Sequence, residues 1–208
     1  RTMTVLWSSV RHGNDSWAYA QKGMRFYARD EYGYDNNIEY KIFQTTPRDE
    51  FDVIILKAGA SDNYPGGVFD GIPSTHIRDA FAHTLSEKGQ LDLDFRRLQH
   101  CIVYINGEYW GLYECRERVD TDYTNFYYNQ GEKNVDMLKF WGGMDVENGS
   151  PQPWYDVYDF ILNNDLNAPG NYEYVKSQIS ISSFIDYFIL NTFFFFFYWL
   201  NWNTMWWR

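Results

Sequence analysis

The chain has 208 residues, room for one domain with at most a small subdomain, and 45% of them are hydrophobic, enough for a core of normal size. A formal net charge of −10 repels nucleic acid and anionic lipid and argues against both as partners. It leaves nucleotides open, because Mg²⁺ can reverse the local sign at a phosphate site. Aromatic residues make up 21%, a share that aromatic-rich cores and carbohydrate-facing surfaces both reach.

The chain begins at Arg1 inside a strand-like run, "TMTVLW", and carries no targeting segment, so it reads as a piece of a longer protein truncated at both ends. Further strand candidates are "KGMRFYA" (22–28), "IEYKIF" (38–43) and "FDVIILK" (51–57), with glycines and asparagines as breakers between them. A loop rich in Gly, Pro and Asp fills 60–73. It lacks the ligand spacing of an EF-hand, so a Ca²⁺ site is not expected there. A helix follows over 74–89, with Ser74 as N-cap, Ile77, Phe81 and Leu85 as its apolar stripe, and Gly89 beyond its end.

"CIVYINGEYWGLYEC" contains Asn106-Gly107 between two strand-like runs, the signature of a type I′ hairpin. Counting back from that turn pairs Ile105 with Glu108, Val103 with Trp110 and Cys101 with Leu112. Cys115 then falls on the face opposite Cys101, and the two cysteines stay unbridged. A short helix capped by Asp120 and a strand over 135–140 come next. The remainder reads as helices over about 153–163, 171–179 and 182–199. The order suggests an α+β fold, with a β-rich part over about 1–140 and a mostly helical part over about 141–208.

No charged residue occurs from Tyr187 to Trp207, long enough to span a bilayer. Three asparagines lie inside the stretch, and its residues are aromatic rather than aliphatic. Tryptophan belongs at membrane interfaces rather than at the centre. No membrane span is therefore expected. Phe193 to Phe197 would cover every face of a helix at 100° per residue, so this helix is expected to lie buried at the centre of its part of the fold.

"VYINGEYWGLYECRERVD" resembles the hairpin motif of the CotH (spore coat protein H) kinase family. "GNDSWAYAQKGMRFYARDEYG", "IILKAGASDN…IRDAF" and "SSFIDYFILNTF…NWNTMWWR" resemble other segments of the family, in the right order over nearly the whole chain. The resemblance implies a kinase-like, two-lobed fold. It also implies an atypical protein kinase, secreted or on the cell surface, that moves phosphate from ATP with Mg²⁺ to serine in extracellular proteins. The alternative is a non-catalytic surface or coat protein that keeps the scaffold alone.

Kinase chemistry needs a lysine on the phosphates, a glutamate on that lysine, and carboxylate and amide groups for the metal and the nucleophile. The resemblance offers Lys22 and Lys57 as nucleotide-binding lysines and Glu117 as their partner, with Arg78-Asp79 as a structural or nucleotide-site pair. Asn203 matches the metal-binding asparagine. Five residues earlier, where that pattern has a catalytic aspartate, stands Tyr198. A neutral tyrosine is a poor base at neutral pH and a poor Mg²⁺ ligand. The family's later Asp-x-Asp segment falls beyond Arg208. The resemblance therefore implies a kinase scaffold that transfers no phosphate as given. The four histidines form no metal-ligand spacing.

Overall fold

The computed structural model describes residues 8–11, 19–32, 36–59, 62–63, 74–196 and 202–208. The "TMTVLW" strand and Tyr198 lie outside them. The described residues are a mixed α and β fold with five α-helices and three antiparallel sheets. They form two compact units. The first takes residues up to Leu85 together with Phe95–Tyr123, and the second takes Ser86–Asp94 with Thr124–Arg208.

The first unit is built on five strands: β1 (Ser8–Arg11), β2 (Met24–Tyr27), β5 (Val53–Lys57), β6 (Leu98–Ile105) and β7 (Glu108–Glu117). Their order is β1-β2-β5-β7-β6. Two short strands, β3 (Ile38–Glu39) and β4 (Glu50–Phe51), pair beside them. The expected strand over 38–43 is thus only two residues long. Helix α1 (Arg78–Lys88) starts four residues later than its sequence suggests. Its start is fixed from a distance: the Asp62 carboxylate accepts from the backbone N–H of Thr75 at 2.6 Å and of Arg78 at 2.9 Å. Ile77 and Phe81 point outward, about half exposed, while Ala80 and Ala82 are buried. The expected apolar stripe is therefore not the packed face.

The β6–β7 turn is as its sequence requires, with Asn106 at φ 52° and Gly107 at φ 84°. The register beyond it is not. A bulge at Trp110 places Val103 opposite Gly111 and Cys101 opposite Tyr113. One extra residue flips the parity, so Cys101 and Cys115 share a face. They remain free thiols. Cys115 faces Gln99 rather than Cys101, and such diagonal neighbours sit about 7–8 Å apart, beyond disulfide reach. Both cysteines pack with Ile38, Phe43, Phe51 and Ile54 in the core.

Helix α2 (Thr121–Tyr128) is capped as expected, the backbone N–H of Tyr123 donating to Asp120 at 3.1 Å. The second unit has a sheet of its own, β10-β8-β9, from β8 (Met137–Trp141), β9 (Met144–Asn148) and β10 (Trp202–Trp207). The change of character expected near residue 140 therefore falls inside a strand. Gly142-Gly143 turns the chain straight back, and Gly142, at φ 75°, leaves the space that the Trp202 ring fills. Helices α3 (Gln152–Asn163), α4 (Asn171–Gln178) and α5 (Ile181–Phe193) complete the unit.

The phenylalanine block is not a buried central helix. Helix α5 ends at Phe193, with Phe195 in the left-handed region at φ 52° and the N–H of Phe196 bonded back to Asn191. That closure stops the 100° rotation that would have carried the rings round the helix. Phe193 is 66% and Phe195 81% exposed, and Phe194 and Phe196 are half-buried. Among the described residues no helix is long and apolar enough to cross a membrane.

Candidate functional site

The five-stranded sheet has one apolar and one charged face. Strand period two puts Ile54, Leu56 and Cys115 on the first and Lys57, Glu114 and Arg116 on the second. On the charged face Lys57 stands directly opposite Glu114, and Ile55 opposite Arg116. Asp79, in the first turn of α1, reaches down to this face. One oxygen of its carboxylate, Oδ2, is paired both with Lys57 Nζ and with Arg116 Nη1, the latter at 3.2 Å. Arg116 Nη1 also lies 3.9 Å from Glu114 Oε2.

Arg96 adds a third cation. Burial, then the charge of Arg116, lowers its pKa to about 9. Arg116 itself is lowered to about 10 by burial. Burial and then Arg116 push Lys57 well below the usual lysine range. His83, on α1, is held well below its ordinary value by burial, then by Arg96, Arg116 and Lys57. A neutral imidazole fits its hydrogen bond, since His83 Nδ1 accepts from the Arg96 backbone N–H at 3.4 Å. Lys57, Arg96 and Arg116 thus lie close enough to disfavour one another's positive charge, with Asp79 paired to Lys57 and Arg116 and Glu114 beside Arg116. Arg116 Nε is buried without a hydrogen-bond partner among the described residues. Such a cluster attracts an anion.

Asp62 does not supply that anion, because it is committed to the start of α1. Burial would raise its pKa, but the backbone N–H groups of Arg78, Thr75 and His76 hold it below the ordinary value. Arg78 is paired with it as well, at 3.4 Å, which makes Arg78 a positioning residue for α1.

The expected lysine–glutamate pair is not formed. Glu117 lies on the sheet face opposite Lys57, fully buried. Its Oε1 is 3.2 Å from Arg48 Nη1. Its Oε2 accepts the Arg97 backbone N–H at 3.2 Å and lies 3.6 Å from Arg97 Nη1. The motif placed Glu117 on the right strand, but strand parity gave it to arginines 48 and 97. Lys22 precedes β2, and its ammonium donates to the Tyr19 carbonyl. Asn203, in the second unit, is an exposed bulge residue of β10 at φ 60°.

Arg96, Arg116 and Glu114 were missed by reading motifs alone. The signal was present in "YECRE": charges at 114 and 116, two apart, inside a strand that the hairpin turn had already defined.

A family model described as CotH kinase protein matches residues 11–197. The chain belongs to the CotH kinase family. No curated protein and no solved structure matches it. The match runs through β5, α1, the β6–β7 hairpin and α5, so the charged face lies wholly within the CotH region.

Proposed function

We propose that this CotH-family chain binds the phosphates of ATP on the charged face of its first unit and does not transfer them. On this reading the parent fold is kinase-like and two-lobed, and the parent activity is phosphorylation of serine in secreted or surface proteins. The observation that carries the binding half is the pairing of both Lys57 and Arg116 with Asp79 Oδ2, with Arg96 near enough to Arg116 for the two charges to repel. Lys57 keeps its expected phosphate role, but with Asp79 rather than Glu117 as counter-ion. Arg116 supplies the planar donor that a phosphate takes from two sides.

The inactive half rests on Tyr198, which offers no carboxylate where the kinase pattern has one. The metal is a poorer fit than the phosphate. Asn203 offers a neutral amide, and among the described residues no three His, Cys, Asp or Glu side chains converge to hold an ion. When bound, Mg²⁺ would neutralise charge on the transferring phosphoryl group.

The test is incorporation of labelled phosphate from Mg-ATP into a serine-rich peptide or the protein itself. The expected result is no turnover above a no-protein control, alongside saturable ATP binding. Loss of a general base typically costs about 10²–10⁴-fold, so even a weak signal is informative. Turnover by the unmodified chain would show that other residues carry the chemistry.

A further inference from the structure

Asp79 is the least buried member of the charged cluster. Its side chain is 39% exposed, against 18% for Lys57, 4% for Arg116 and 3% for Glu114. Its Oδ2 pairs with both cations, so Lys57 and Arg116 share an acceptor. Arg116 Nε has no hydrogen-bond partner among the described residues. A carboxylate in this position leaves a donor unmet. A phosphate group carries three terminal oxygens and can meet an ammonium and two guanidinium donors at once.

Glu114 cannot give way to a ligand in the same manner, since it is buried in the middle of β7. Asp79 can. The start of α1 is held independently by Asp62, through the N–H groups of Thr75 and Arg78, so the Asp79 side chain is free to rotate without unwinding the helix. Resting on the phosphate-site reading above, we propose that Asp79 is a displaceable internal counter-ion. It competes with a phosphate group for Lys57 and Arg116, and so sets how weakly the face binds nucleotide. The site is then regulated by the protein's own carboxylate.

The experiment is equilibrium dialysis of labelled ATP, and separately of inorganic phosphate, with a chelator present to remove divalent ions. The wild-type chain is compared with Asp79→Asn. The expected result is tighter binding of both ligands by Asp79→Asn, by about tenfold, the effect of removing one charge-assisted competitor. Wild-type binding with equal or weaker binding by the variant would overturn the displacement and leave the phosphate site standing. No binding by either protein would remove the site reading, and this one with it. Should Asp79→Asn fail to fold, the wild-type chain labelled with ¹³C at aspartate carboxylates answers the same question. Phosphate should move the Asp79 carboxylate resonance from its ion-paired toward its solvated position, and an unmoved resonance in a protein that binds phosphate would overturn the proposal.

Discussion

The two faces of the five-stranded sheet handle buried charge in opposite ways. On the apolar face Glu117 is buried completely, yet both its oxygens are matched, by Arg48 and by the backbone and side chain of Arg97. On the other face Arg116 is nearly as buried but keeps an unmatched donor, and its partner Asp79 is open to solvent. A satisfied buried charge holds a structure in register, and its removal leaves partners stranded. An unsatisfied one costs stability where it stands and repays it when a ligand arrives. The apolar face should therefore govern folding, and the charged face binding.

The largest effects should come from the apolar face. Glu117→Ala removes a fully buried carboxylate from the buried Arg48 and from Arg97 and should cost about 3–5 kcal/mol, measured by urea unfolding. Phe51→Ala removes a fully buried ring packed edge-on against Phe43 at 5.5 Å, and belongs to the same range of about 3–5 kcal/mol. If either variant unfolds at the wild-type midpoint, the division between the faces is wrong.

A smaller effect should appear in the pH dependence. Asp52, in the link between β4 and β5, has a pKa raised from 3.8 to about 7. Burial is the main cause, followed by the charges of Asp120 and Asp122. A raised carboxyl pKa means that the folded state keeps a proton that the unfolded state has released. Between about pH 4 and 7 the contribution of Asp52 to stability should thus fall as pH rises. Asp52→Asn should flatten that slope. A slope unchanged in the variant would mean that Asp52 is ionised in the fold.

Much of this contrast was legible in the sequence, and the losses have physical causes. The hairpin was readable because Asn106-Gly107 encodes its turn locally. The cysteine register was not, because a bulge at Trp110 shifts parity and no local residue type announces it. Ser74 is a reasonable cap by composition, but Asp62, twelve residues away, accepts the N–H groups at the start of the helix. Lys57 was found and its partner was not. A motif orders residues along the chain, whereas the face of a strand decides which of them meet.

The smallest effect on stability should belong to Lys57→Met, within about 1 kcal/mol of wild type. The variant removes a lysine that burial and Arg116 already disfavour in its charged form, and it leaves Asp79 paired with Arg116.

That variant also gives the most direct test of the central claim. Equilibrium dialysis with labelled ATP is run beside thermal unfolding on the wild-type chain and Lys57→Met. Separate roles for the two faces predict that Lys57→Met keeps its unfolding temperature to within a few degrees and loses at least about tenfold in ATP affinity. ATP binding that survives Lys57→Met unchanged would contradict the account.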